Sequence, residues 1–418
     1  MATRTVAILG TLDTKGEELH FIRERIIAEG LKAMIIDAGV MGQPNVLPDV
    51  SRAEVAQAGG RELDGLVAAK DRGRAIEAMA TGATALVRRL YEEGRIHGLI
   101  SLGGSAGTTI GTAAMRALPV GFPKFMVSTL ASGDTRPYVG TKDIAMLYSV
   151  VDIAGLNVLS KRVLSNAAAA ISGMAKQKPP KTRKEKPLVA ATMFGVTTPC
   201  VMRARELVEA AGFEVLVFHA TGAGGKAMEQ LITDGFISGV LDITTTELAD
   251  ELIGGVLSAG PNRLEAAGRK GIPQVVCPGA IDMVNFGPHE TVPEKFRQRN
   301  LYMHNPTVTL MRTTPEECSQ LGRITAEKLN QARGPAVFVM PLQGVSAIDA
   351  PGGPFHSPEA DAAYCHALKR HLRPPAQLVE VDAHINDERF ARVVADQLLC
   401  LFAARGGSRT ARVNSEKG

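Results

Sequence analysis

Short, mostly apolar runs recur along this chain, many of them ending at glycine or a small polar residue. They cover 5–9, 33–37, 99–102, 124–129, 188–192, 214–218, 239–243, 272–277, 336–341 and 378–382. Between many of them lie stretches of helical period, such as 15–29, 73–93 and 200–211. Runs of four to eight residues that are apolar throughout are the mark of parallel strands buried on both faces. Strand, helix, strand in alternation predicts an α/β protein: two Rossmann-like subdomains whose mostly parallel sheets are flanked by helices. The apolar stretch 144–174, interrupted at Gly155, is expected to be helical and to close the first subdomain.

The second half repeats the order of the first. A strand, polar turn, helix and strand open each half, and the run at 239–247 parallels the one from Gly98. Between the halves, 176–187 is basic, Pro-rich and free of large apolar residues, the composition of a linker. The expected division is 1–175, the linker 176–187, 188–405, and a polar, disordered tail at 406–418.

The strand-to-helix turns carry the chemistry. Leu102 leads into Gly103-Gly104-Ser105-Ala106-Gly107 and then a helix from Thr108. Glycines admit a close backbone approach, helix N-termini present free N–H groups, and Ser105, Thr108 and Thr109 add hydroxyls, so the loop reads as a phosphate cradle. The first strand ends in Gly10-Thr11-Leu12-Asp13-Thr14-Lys15, a second polar turn, with Lys15 suited to phosphate and Asp13 to a divalent cation. Thr129 with Ser132-Gly133 makes a third. Asp37 ends the second strand, where an acidic residue commonly takes a ribose hydroxyl. Each position also has a plain reading, as turn chemistry or as a loop-capping aspartate. Neither the lysine of a P-loop nor the close glycine triplet of a dehydrogenase is present. Ser105 lies two residues from each flanking glycine, as in a hydrolase elbow, but no acid or histidine pairs with it in the sequence.

Composition narrows the field. The 418 residues are 45% hydrophobic with only 4% aromatics and no Trp, and the net charge is +4, much of it in the linker. That argues against nucleic-acid binding. Five scattered cysteines fit reduced thiols. With no apolar run of transmembrane length and a strand at the outset, the expectation is a cytoplasmic protein that does not meet a membrane.

Three stretches together carry a likeness: Gly10-Thr11-Leu12-Asp13-Thr14-Lys15-Gly16-Glu17-Glu18, Leu102-Gly103-Gly104-Ser105-Ala106-Gly107-Thr108, and His219-Ala220-Thr221-Gly222-Ala223-Gly224-Gly225. The chain resembles the ATP-binding domain family of the plant tomato mosaic virus resistance protein and its uncharacterised bacterial relatives. The resemblance implies two Rossmann-like subdomains, nucleotide binding mainly on the first, and a homodimer. Longer relatives add a TIM-barrel domain, which here would be a separate polypeptide. The implied ligand is ATP with Mg²⁺, held by Gly10, Thr11, Asp13, Thr14, Lys15, Asp37, Gly103, Gly104, Ser105, Gly107, Thr108, Thr129, Ser132 and Gly133. A competing reading is a catabolic enzyme acting on a carboxylate or keto acid in the cleft between subdomains. It would use Asp282, His304 and His219, with Asp242, for acid–base chemistry or metal binding; Asp242 is thus a candidate metal ligand, as Asp13 is in the first turn.

Overall fold

The computed structural model describes residues 3–177 and 186–415, with side chains through Ala404. Two compact units divide the chain, Met1–Lys181 and Thr182–Gly418. Most of the expected linker (residues 178–185) lies outside the described residues.

The first unit runs β1 (Thr5–Gly10), α1 (Leu12–Ala28), β2 (Lys32–Asp37), α2 (Arg52–Ala58), α3 (Leu63–Ala69), α4 (Arg72–Glu92), β3 (Gly98–Gly103), α5 (Ser105–Arg116), β4 (Lys124–Ser128), α6 (Arg136–Val139), β5 (Ala145–Tyr148) and α7 (Val158–Lys176). The sheet order is β2-β1-β3-β4-β5, parallel throughout. Both faces of β1 are buried, as its unbroken apolar run requires. Val6 and Ile8 pack with Leu19, Ile22, Leu164 and Ile171 of α1 and α7. Ala7 and Leu9 pack with Met79, Leu86, Ile110 and Met115 of α4 and α5. Each such side chain removed from water contributes about 1.5–3 kcal/mol, which holds the three layers together.

Local signals account for most boundaries. Ser51 and Glu54 form the capping box that starts α2. Other boundaries depart from the expected pattern. The helix after β1 begins at Leu12 and kinks at Lys15, rather than starting there. The stretch 144–174 is not one helix. Ala145–Tyr148 pairs with β4 as the sheet's edge strand, and α7 begins only at Asn157, whose side chain caps it. Tertiary pairing overrides the apolar pattern here.

The second unit runs β6 (Leu188–Met193), α8 (Thr198–Ala210), β7 (Glu214–His219), α9 (Ala223–Asp234), β8 (Ile237–Thr244), α10 (Thr246–Ile253), α11 (Ala266–Lys270), β9 (Gln274–Gly279), β10 (Met283–Phe286), β11 (Leu301–Asn305), β12 (Val308–Arg312), α12 (Pro315–Asn330), β13 (Ala336–Pro341), α13 (Pro358–His371), β14 (Gln377–Val381) and α14 (Glu388–Ser415). Its six-stranded sheet has the order β14-β13-β9-β8-β6-β7. Counted from the first strand of each unit, both sheets follow 2-1-3-4-5, and the second adds a sixth strand. The repeated order of the two halves is therefore a repeated topology. Strands β10, β12 and β11 form a separate antiparallel sheet between β9 and β13, where the sequence shows only a polar cluster without period. The last helix continues to Ser415, past the expected end of the subdomain at 405 and into the stretch expected to be disordered.

Candidate functional site

In a doubly wound sheet, ligands bind at the carboxyl ends of the strands where successive connections depart in opposite directions. In the first unit that point lies between β1 and β3. The chain leaves β1 toward β2 on one side, then returns to add β3 on the other. The two strands pair in parallel, Leu9 against Ser101, so the turn at Thr11 and the glycine loop at Gly103 open side by side at one rim.

A cavity of about 370 Å³ opens there. Thr11, Asp13 and Thr14 line it from the first turn and Ala106 from the first turn of α5. Lys70 and Arg72 stand at its edge, and Val40, Met41, Ile76 and Met79 form much of its apolar wall. The Thr11 and Thr14 hydroxyls are 2.8 Å apart. Helix α5 begins at Gly104 without a side-chain cap. Among the described residues the N–H groups of Ser105, Ala106 and Gly107 have no acceptor, and the first to bond is Thr108 N–H, to Gly104 O at 2.8 Å. Gly103 and Gly107 owe their identity to packing as well. A Cβ on Gly103 would lie 2.8 Å from Gly107 Cα, and one on Gly107 2.9 Å from Leu102 O.

The other residues expected at a nucleotide do different work. Asp37 is fully buried; its Oδ1 accepts from Leu12 N–H at 3.0 Å and Gly39 N–H at 2.8 Å, bracing the two strand ends. Burial raises its carboxyl above the usual range, against the lowering effect of those amides. A ribose has no exposed oxygen to reach. Asp13 turns its Oδ2 onto the N–H groups of Val40, Met41 and Gly42 at 3.0–3.2 Å. Its Oδ1 is buried toward Gly39 without a hydrogen-bond partner, so Asp13 shapes the cavity wall chiefly through Oδ2. Lys15 Nζ donates to Ile153 O instead of facing the glycine loop. Thr108 is buried, its hydroxyl 2.7 Å from that of Ser128. Gly10 sits against Leu19 of α1. Thr129 N–H donates to Gly103 O at 3.3 Å, and Ser132 and Gly133 are exposed in the turn after β4, away from the cavity lining.

The equivalent position of the second unit is filled. Thr192, Thr197 and Thr244 are fully buried, with the Thr197 and Thr244 hydroxyls 2.7 Å apart. Asp242 accepts from Thr192 Oγ1 at 2.8 Å and pairs through both oxygens with Arg263. The cation that Asp242 holds is thus a guanidinium, which leaves no place for the expected metal. Among the described residues no cluster of three or more His, Cys, Asp and Glu is arranged around a metal position.

The expected acid–base trio does not assemble. His219 and His304 are exposed on β7 and β11, and the His219 ring packs at a tilt against Phe194. Asp282 is fully buried and accepts from Ser346 Oγ at 2.7 Å. Burial pushes its carboxyl up to about 7, and does the same to Asp250. Asp361 rises to about 8, by burial and then by the neighbouring Asp349. Carboxyls with raised values bind more protons folded than unfolded between about pH 4 and 8. The second unit is therefore expected to lose stability as pH rises through that window, by about 1 kcal/mol per pH unit for each retained proton. Urea midpoints taken from pH 5 to 8.5 should fall, and Asp282→Asn should flatten the slope. A midpoint that climbs with pH contradicts this placement of protons.

Sheet order and burial define a protein of two doubly wound α/β units, one with its switch point open and one with it closed. The chain belongs to the uncharacterised protein family UPF0261, whose N-terminal domain matches residues 4–180 and whose C-terminal domain matches 186–402. A UPF0261 protein from Clostridium tetani is 58% identical over 95% of this chain and 98% of its own length. The tomato mosaic virus resistance protein Tm-1 of Solanum lycopersicum is 42% identical over 94% of this chain, which spans 55% of the tomato protein. Among solved structures, the UDP-N-acetylglucosamine 2-epimerase of Rickettsia bellii aligns over 97% of both chains at 10% identity, with a TM-score of only 0.22. Among the described residues, no helix is long and apolar enough to cross a membrane.

Proposed function

We propose that the first unit binds ATP in the cavity between the ends of β1 and β3. The observation that carries this reading is an open cavity at the switch point, lined by Ala106 of the uncapped α5 N-terminus, two cations and an apolar wall, with the unbonded amides of Ser105 to Gly107 at that same helix end. The adenine lies against Val40, Met41, Ile76 and Met79. The phosphates face the amides of Ser105 to Gly107, the Thr11 and Thr14 hydroxyls, Lys70 and Arg72. Amides and helix dipole favour an anion without needing a lysine in the loop itself. Since Asp13 Oδ2 is spent on the wall and its Oδ1 is buried, Mg²⁺ enters on the phosphates of the ligand, not on a carboxylate of the protein.

Titration calorimetry with ATP, with and without Mg²⁺, tests the reading. Saturable binding is expected in both, together with a rise in melting temperature. No heat at millimolar nucleotide contradicts it.

A further inference from the structure

Beside the cavity stands a segment that the rest of the unit holds loosely. Helix α3 has no fully buried residue, only Leu63 and Leu66 packing partly against the core, whereas its neighbour α2 buries Val55 and Ala56. The contrast in packing is sharp. Gly82 of α4 lies so near α2 that a Cβ on it would sit 1.9 Å from Val55 O. Between α3 and α4 instead runs an open groove of about 830 Å³, lined by Gly60, Glu62, Leu66 and Ala69 on one side and Glu77 and Thr81 on the other.

Both ends of the segment are suited to bending. Gly60 has φ +71° with open space around it. Lys70 closes α3 in the left-handed region at φ +50°, a conformation a lysine adopts sparingly. Lys70 and Arg72 line the cavity, and among the described residues neither side chain has a hydrogen-bonded or ionic partner. By contrast Asp71 between them is engaged, accepting from Arg74 N–H at 3.1 Å as the cap of α4.

We infer that residues 59–72 are a ligand-gated arm, in which Lys70 and Arg72 close on the terminal phosphates of the nucleotide while α3 settles against α4. This rests on the nucleotide reading above and adds to it how the site tells a triphosphate from a monophosphate. A monophosphate is held by the helix-end amides and the Thr11 and Thr14 hydroxyls without the two cations. A triphosphate reaches far enough to draw in the two cations, and the arm that carries them narrows the groove and extends its existing contact with α4. Elements with few buried contacts are the ones that move at binding sites.

The test compares ATP and AMP on the full chain. Wild-type protein is expected to bind ATP at least ~10-fold more tightly than AMP, and Lys70→Ala/Arg72→Ala to lose most of that margin while keeping its AMP affinity. Lys70→Gly accepts the left-handed backbone without strain, so it should lose ATP affinity just as Lys70→Ala does, which separates the charge from the backbone. Hydrogen exchange across 59–72 should slow on adding ATP and change little with AMP. Equal ATP affinity in wild type and double variant, or unchanged exchange across the segment, overturns the arm and leaves the cavity reading standing. A wild-type protein that binds no ATP overturns both.

Discussion

With glutamate in place of Ala106, ATP affinity is expected to fall at least ~100-fold, because a carboxylate beside a phosphate costs several kcal/mol. The position makes the variant informative. Ala106 is in the first turn of α5, half-exposed, and lines the cavity. An acidic side chain in a helix's first turn favours the macrodipole, so the fold should be as stable as before or slightly more so. Binding and stability then move in opposite directions, which general damage does not produce. Calorimetry and thermal melting on one preparation decide it. ATP affinity within threefold of wild type would remove α5 from the site.

The second large effect concerns stability. Arg263 is wholly buried, and three carboxylates converge on it: Glu247 at 2.7 Å from Nε, Asp242 across both terminal nitrogens, and Glu229 at 3.3 Å. Breaking a buried pair by removing one partner costs about 3–5 kcal/mol, since the remaining charges have no solvent. Arg263→Ala leaves three acids facing one another, and the second unit is expected to unfold at markedly lower urea. Arg263→Lys should recover little, because one ammonium cannot reach carboxylates that three separate nitrogens now meet. A loss under 1 kcal/mol in either variant contradicts the arrangement. The first unit's ATP affinity provides the internal control.

How far the sequence alone leads can be judged from particular residues. The parallel sheets were readable because runs such as Val6 to Leu9 have no polar alternation, and only burial on both faces explains that. The two turns of the site were readable too, since glycine and threonine at a strand's end mark a strand-to-helix junction. The roles within those turns were not. Asp37, Asp13, Lys15 and Thr108 have the chemistry of ligand contacts, yet all four bond to their own chain. Polar residues at a crevice rim must hold the rim's shape before they hold anything else, and sequence spacing does not separate the two tasks.

The cavity-lining residues that carry no distinctive sequence signal are informative in turn. Ile76 and Met79 fall on the helical stripe of α4, indistinguishable by period from the core residues Ala83 and Leu86 that continue it. Lys70 and Arg72 sit in a stretch with the composition of an ordinary solvated loop. Only the fold brings them to the cavity that Thr11 and Ala106 line. In the second unit the same blindness runs the other way. Asp242, Asp282 and the two histidines look reactive by type, and the structure ties the acids into the interior and leaves the histidines on separate strands.

The central claim is that the open switch point of the first unit is a nucleotide site. A crystal structure of the full chain grown with ATP tests it most directly. The account predicts triphosphate density against the amides of Ser105, Ala106 and Gly107, with the base on the wall of Val40 and Met79. Density for ATP at any other place, with this cavity holding only solvent, would contradict it.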